Sequence, residues 1–147
     1  MTDPKDNFDN FVEKLQQEIN EKEIEDFNEQ IVSLCRNPPN WGRPLNKEVT
    51  ISHSGLDQHK NLIQFFLKIE GEKIIKANFI TDGCGVTVAI ASQITLLIEG
   101  KTLDFASNLR GKDIDKALKG LPKGHKQHAN LIVKILKELI IKYQNSK

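Results

Sequence analysis

The spacing of hydrophobic residues changes along the chain and predicts helices first, then strands, then helices again. Apolar residues in the first quarter recur every three or four positions, which is typical of amphipathic helices. They are Phe8, Phe11, Val12, Leu15, Ile19, Ile24, Phe27, Ile31 and Leu34. The charged break at Glu21–Glu23 predicts two helices or one bent helix. Cys35 lies four residues after Ile31, so we expect it in the core.

A loop and three strands are predicted next. Residues 37–44 read Asn-Pro-Pro-Asn-Trp-Gly-Arg-Pro, which cannot be helical and predicts an extended loop. Apolar and polar residues then alternate over residues 49–54, and apolar runs at Leu62–Ile69 and Ile74–Ile80 predict two further strands. Glu70-Gly71-Glu72 joins the last two strands as a short hairpin, so the order predicts an antiparallel meander.

The remainder of the chain predicts helices. An uncharged helix runs from about Gly85 to Glu99 and ends at Gly100. Thr102 can cap a short helix, and another helix is expected over residues 112–118. Residues 120–124, Gly-Leu-Pro-Lys-Gly, break the chain before a long helix over residues 126–142. Strands followed by helices predict an α+β domain, a three-stranded antiparallel sheet with helices packed on one face.

Composition and charge narrow the class of protein. The chain has 147 residues, 38% hydrophobic and 28% charged, as expected for one soluble globular domain. The first residues are polar and acidic, unlike a targeting peptide, and the longest uncharged apolar stretch is too short for a membrane span, so we expect a cytoplasmic protein. Residues 1–30 carry ten acids and three bases, so the rest of the chain is basic although the net charge of the whole chain is only +1. The basic remainder favours an acidic protein partner over nucleic acid.

Candidate chemistry centres on Cys84. The segment Gly83-Cys84-Gly85 lies between a predicted strand and a predicted helix, so its thiol would sit beside a helix N-terminus, which favours a thiolate. A buried cysteine in a tight turn is the equally acceptable alternative. The histidines His53, His59, His125 and His128 form no local metal-binding signature, and their spacing alone selects no site.

Several ordered motifs resemble one protein family. These motifs are Arg36-Asn-Pro-Pro-Asn-Trp-Gly42, Ala77-Asn-Phe-Ile-Thr-Asp-Gly-Cys-Gly85, Glu99-Gly-Lys-Thr-Leu103 and Gly120-Leu-Pro122. From roughly Glu25 onward the chain resembles the iron–sulfur cluster scaffolds of the IscU and NifU N-terminal domain family. We therefore expect residues 1–23 to be an N-terminal helical extension and residues 24–147 to form the family's domain.

The resemblance implies a site in which two ligands have changed. The family binds a cluster or metal with three cysteines and an aspartate. On the matching positions the first cysteine is His59, the second is Cys84, the third is His128, and the aspartate is Asn61. Both histidines can still bind metal, whereas the asparagine amide is a weaker ligand. The chaperone-binding Leu-Pro-Pro-Val-Lys motif is Leu121-Pro-Lys-Gly-His125 here, so the resemblance does not extend to that chaperone.

The altered ligands bear on metal choice and on sulfur chemistry. Histidine ligation raises the potential of a 2Fe–2S cluster, and a Cys/His₂ set with an open position also suits Zn²⁺. The family receives sulfur as a persulfide on its cysteines, and an imidazole cannot carry one. Only Cys84 could do so at this site.

Three functional hypotheses follow, and none assigns a catalytic residue. The first is an assembly scaffold or carrier that binds iron or a 2Fe–2S cluster. The resemblance implies a cysteine desulfurase and apo-protein acceptors as its partners, and a homodimer is possible. The second is a zinc-binding regulatory or accessory module acting on the desulfurase, and the third is a metal-free interaction domain. The basic segment 101–147, with eleven bases and four acids, is the candidate desulfurase-facing surface.

Overall fold

The fold is an α+β arrangement in which three strands precede most of the helices. The computed structural model describes residues 28–57, 60–83, 85–122 and 125–146. The helices predicted before residue 28 lie outside these ranges. The described helices are α1 (Glu29–Arg36), α2 (Gly85–Ile98), α3 (Leu103–Ser107), α4 (Gly111–Ala117) and α5 (Lys126–Asn145), and the strands are β1 (Ile51–Leu56), β2 (Leu62–Glu70) and β3 (Lys73–Thr81).

The three strands form an antiparallel meander in the order β1-β2-β3, as the sequence predicts. Phe65 of β2 pairs with His53 of β1 and with Phe79 of β3, which sets the register of the sheet. Alternate residues of β2 and β3 point to the same face, where Phe65, Leu67 and Phe79 are fully buried. Helix α2 packs against β3 on this side and α5 packs against β1, so the helices cover this face.

Helix α2 lies at the centre of the packing. Its sequence is apolar around nearly its whole circumference, which is typical of a buried helix. It contacts α1, β3, α4 and α5, and Leu96 is the one exposed residue along it. The side chains that do carry polar groups find partners: Ser92 Oγ donates to the carbonyl of Pro39 at 2.9 Å, and Thr95 Oγ1 donates to the carbonyl of Ser92 at 2.7 Å.

The outer edge of β3 is covered by two loop segments. Near one end, the amide of Phe79 donates to the carbonyl of Asn40, and the amide of Gly42 donates back to the carbonyl of Phe79. Near the other end, the amide of Ile74 donates to the carbonyl of Lys101, and Glu99 Oε2 accepts from the amide of Ala77 at 3.1 Å. An open strand edge would otherwise present unpaired backbone groups to other chains. The proline loop and the segment after α2 therefore complete the sheet.

Local predictions agree with the structure except at element boundaries. Thr102 Oγ1 accepts from the amide of Phe105 and caps α3, and Cys35 is buried, as expected. Strand β1 begins at Ile51, two residues later than its alternation predicts, because residues 46–48 form a turn of 3₁₀ helix closed by the amide of Val49. Helix α5 continues to Asn145, beyond the predicted end. No described helix is both long and apolar enough to cross a membrane.

Candidate metal centre

The loop between β1 and β2 carries the first predicted ligand and is closed at its base by one pair of residues. The amide of Asp57 donates to the carbonyl of Asn61 at 2.9 Å. In return, Asp57 Oδ1 accepts from the amide of Asn61 at 2.8 Å, and Oδ2 accepts from Asn61 Nδ2 at 3.2 Å. Lys60 has a φ of 64°, which allows the chain to turn back within so short a loop. His59 belongs to this loop but lies outside the described residues.

The turn between β3 and α2 brings the chain to the predicted thiolate. Thr81 Oγ1 accepts from the amide of Gly83 at 3.0 Å, and Asp82 Oδ1 accepts from the amide of Leu62 at 2.6 Å, which ties the turn to the start of β2. A Cβ added to Gly83 would lie 2.9 Å from Thr87 Cγ2, so glycine permits the close approach of the turn to the first turn of α2. Cys84 itself lies outside the described residues, between this turn and the first residue of α2.

The first turn of α5 brings His128 to the same region. The imidazole is fully buried, and its Nε2 lies 2.8 Å from Thr87 Oγ1 and 3.3 Å from Asp57 Oδ2, whose side chain is also fully buried. The ring of His125 stacks against that of His128 with the centroids 6.1 Å apart. The end of β1, the start of α2 and the start of α5 therefore meet at one buried histidine.

The contacts of His128 distinguish this arrangement from a hydrolytic triad. In such a triad the carboxylate and the nucleophile engage opposite nitrogens of the imidazole, which allows the ring to accept the nucleophile's proton while the acid orients it. Here Asp57 and Thr87 both engage Nε2. The imidazole therefore cannot connect Thr87 to Asp57 in the way that nucleophilic catalysis requires, and the geometry suits a fixed ligand better.

The remaining candidate residues in the described ranges, Asn61 and His53, contact acidic side chains. Asn61, predicted as a weak ligand, directs its amide nitrogen toward Asp57. His53 lies on β1 with Nε2 3.6 Å from Glu138 Oε1, away from the contacts of His128. Among the described residues no three His, Cys, Asp or Glu side chains come close enough to hold a metal, and two of the three strongest predicted ligands are outside that set. The ligand set His59, Cys84 and His128, with Asn61, thus stays a prediction.

Sequence reasoning did not single out Asp57 or Thr87. Asp57 was visible as the first residue of the loop, but an acid in a polar loop is ordinarily exposed, and only its burial marks it as unusual. Its spacing from Asn61 was the one local signal, because Asp and Asn at the two ends of a short loop can close it through side-chain hydrogen bonds to the backbone. Thr87 lies in an apolar helix and gave no such signal.

Comparisons with known proteins agree with the resemblance. The model of the family described as NifU-like N terminal domain matches residues 26–147. The chain is 32% identical over 99 residues to the iron–sulfur cluster assembly scaffold protein IscU of Aquifex aeolicus, covering 66% of this chain and 62% of that protein. It is 33% identical over 96 residues to the iron–sulfur cluster assembly enzyme IscU of Drosophila melanogaster, covering 63% and 62% respectively. The matched regions therefore span less than two thirds of either relative.

A solved structure has a similar fold. A crystal structure described as a nitrogen-fixing NifU-like protein (N-terminal) from Brucella abortus superposes with a TM-score of 0.64 and 15% identity. The superposition covers 84% of this chain and 99% of that one. At this identity the likeness concerns the fold: the three-stranded antiparallel sheet and the helices on one face.

Proposed function

Because the chain belongs to the NifU-like N-terminal domain family, we propose that it is a scaffold or carrier in iron–sulfur cluster assembly. The cargo is iron or a 2Fe–2S cluster, held by His59, Cys84 and His128. The observation that carries the proposal is the buried His128 at the third ligand position, with a carboxylate on its Nε2. Metal-binding histidines characteristically donate one ring N–H to such an oxygen while the other nitrogen binds the metal.

The proposed ligands His59, Cys84 and His128 suit a metal or cluster that requires little negative charge from its ligands. Two neutral imidazoles and one thiolate supply one negative charge, whereas three thiolates and a carboxylate supply four. Asp57 restores one negative charge to the neighbourhood of the site, in contact with His128. Histidine ligands give a cluster a higher potential than thiolates do, and they are neutral leaving groups. These properties favour transfer of a cluster over its long storage.

Sulfur delivery depends on Cys84 because the second cysteine is inaccessible. Cys35 is 2% exposed, and its thiol donates to the carbonyl of Gly85 at 2.9 Å. A desulfurase would therefore place a persulfide only on Cys84, since imidazole cannot carry one. We propose that the cysteine desulfurase and apo-protein acceptors are the partners, with the basic segment 101–147 facing the desulfurase in the cytoplasm. Asn61 plays at most a minor part in the ligand set.

Anaerobic isolation and reconstitution test the proposed function. Wild-type protein supplied with iron and sulfide should turn brown and retain the two in equal amounts. A His59→Ala, Cys84→Ala, His128→Ala variant should retain neither. His53→Ala and Cys35→Ser are matched controls, because His53 contacts Glu138 and Cys35 is buried against α2, and both should bind as the wild type does.

Each alternative gives a different analytical result. Stoichiometric zinc without sulfide would indicate a zinc-binding accessory module of the same fold. Unchanged metal content in the triple variant would show that the ligand assignment is wrong. Wild-type protein that contains no metal after anaerobic isolation and takes up none during reconstitution would exclude the scaffold function.

A further inference from the structure

Within the part of the chain that the structure describes, three N–H groups hold the carboxylate of Asp57. Oδ1 accepts from the amide of Asn61 at 2.8 Å. Oδ2 faces the side-chain amide of Asn61 at 3.2 Å and Nε2 of His128 at 3.3 Å. A carboxylate can only accept, so the NH₂ group of Asn61, and not its carbonyl, must face Oδ2. The carboxylate is completely buried. Its two hydrogen bonds from Asn61 fix its orientation relative to the loop that closes between these two residues.

This arrangement determines the tautomer of His128. If Nε2 carried the lone pair, that lone pair would face the anionic oxygen of Asp57 and the two would repel. A proton on Nε2 can instead be shared between Asp57 Oδ2 and Thr87 Oγ1. In the neutral imidazole the lone pair then resides on Nδ1. The residues that contact Nε2 thus decide which of the two nitrogens can bind a metal.

We propose that Asp57 is a positioning residue of the metal site, which fixes His128 as an Nδ1 ligand. This inference rests on the proposed function. The family's aspartate is replaced by Asn61 in this chain. Asp57 supplies a carboxylate to the site in another way, by contacting the imidazole of His128 and not the metal. Hydrogen bonding to the carboxylate also makes the imidazole a stronger ligand, because negative charge near Nε2 raises the electron density that Nδ1 can donate. Thr87 assists by occupying the other side of the same N–H group.

Cobalt binding tests whether Asp57 acts through His128. Co²⁺ is titrated anaerobically into the full chain, with the thiolate-to-cobalt absorption band and the ligand-field bands as readouts. Asp57→Asn should weaken Co²⁺ binding about 10–100-fold, the range found when such outer partners are removed, and should shift the ligand-field bands. Asp113→Asn is the matched control, because Asp113 also accepts a backbone amide, that of Arg110 at the N-terminus of α4, and belongs to no part of the proposed site.

A double-mutant cycle separates positioning from direct coordination. In a His128→Ala background, Asp57→Asn should cause no further loss of Co²⁺ affinity, because the residue through which Asp57 acts is absent. An equal, additive loss in that background would overturn the proposal and make Asp57 an independent ligand. Unchanged affinity and spectrum in Asp57→Asn alone would overturn it as well.

The tautomer is measured separately in the metal-free protein. Long-range ¹⁵N–¹H correlation spectra at a pH where the ring is neutral should show His128 protonated on Nε2, with an Nε2–H signal protected from exchange. Subtraction of the His128→Gln spectrum assigns it. The protection should be lost in Asp57→Asn and kept in Asp113→Asn; an Nδ1–H tautomer in the wild type would refute the inference. Wild-type protein that binds no Co²⁺ and takes up no cluster would instead be a failure of the proposed function.

Discussion

At the scale of single residues, the candidate site depends on very close approaches between side chains and backbone. Gly83 lies against Thr87, and Thr87 in turn contacts His128. No side chain fits at residue 83 without displacing a fully buried threonine. The glycine of the Gly-Cys-Gly turn is therefore required by packing, because a Cβ at residue 83 would lie too close to Thr87.

We expect Gly83→Ala to destabilise the fold by about 1–3 kcal/mol, the usual cost of forcing an extra methyl group into a packed site. Urea unfolding monitored by circular dichroism measures this loss. Thr87→Ser removes Cγ2, the atom nearest the added methyl group, so Gly83→Ala should cost less in that background. Equal costs in the two backgrounds would show that the contact with Thr87 is not the cause.

The ion pair between Glu48 and Lys68 predicts a pH dependence. Lys68 Nζ lies 2.8 Å from Glu48 Oε2, and this hydrogen bond lowers the pKa of the Glu48 carboxyl and raises the pKa of Lys68. A lowered carboxyl pKa stabilises the fold above the pKa of the unfolded chain, and the gain is lost as the pH falls through the folded value.

Glu48→Gln should therefore be less stable than the wild type at pH 7, by a small amount because both side chains are partly exposed. The difference should shrink as the pH falls below about 4, where the unfolded carboxyl takes up a proton, and should vanish once the pH is also below the lowered pKa of Glu48 in the folded protein. Urea unfolding at several pH values measures this difference. A difference that persists unchanged at pH 3 would contradict the assignment to this ion pair.

At the scale of elements, helix α1 is both capped and attached to the rest of the domain by one side chain. Asn28 Oδ1 accepts from the amide of Ile31 at 3.0 Å and so caps the helix. Its Nδ2 donates to the carbonyls of Leu118 at 2.7 Å and Gly120 at 3.2 Å, just after α4. The cap thus also links α1 to the segment that leads toward α5 and His128.

Substitutions at Asn28 should separate the cap from the link. Asn28→Ala removes both, and we expect a loss of about 1–2 kcal/mol or slightly more in unfolding free energy. Asn28→Ser keeps an acceptor for the cap and removes the amide N–H groups that reach Leu118 and Gly120, so it should lose clearly less. Thermal unfolding of the two variants makes the comparison, and equal losses would mean that the link to residues 118–120 supplies nearly all of the stabilisation.

At the scale of the whole molecule, the sheet is completed by segments that are not strands. Glu99 is an example, because its carboxylate lies at the C-terminal end of α2, where the helix dipole disfavours a negative charge. Its contact with the buried amide of Ala77 gives the compensating interaction. The Glu99-Gly-Lys-Thr-Leu103 motif therefore serves to close the edge of β3 and to begin α3.

Glu99→Ala should leave the Ala77 amide without this partner and destabilise the protein by about 1–3 kcal/mol. Glu99→Gln retains an amide oxygen as acceptor and removes the charge at the helix end, so it should be close to the wild type. Chemical unfolding and amide hydrogen exchange at Ala77 measure the two effects. Unaltered exchange at Ala77 in Glu99→Ala would show that the edge is protected in another way.

The sequence by itself determined the order and type of the described elements. Alternation with period two predicted β1, apolar runs predicted β2 and β3, helical spacing predicted α1, and Thr102 predicted the cap of α3. These features depend on interactions within a few residues, which a local pattern records. The small errors, at the start of β1 and the end of α5, fall where turns and fraying change the boundary. Family motifs added the prediction of which residues form the site.

Only the tertiary structure showed that Asp57 meets His128 and that Thr87 shares the same imidazole nitrogen. These residues come from the end of β1, the start of α2 and the start of α5, and no periodicity relates them. Their contact depends on how α2 and α5 pack against the sheet. A carboxylate in a loop acquires its role from burial and from the donors that surround it, and both are decided by packing between segments far apart in the chain.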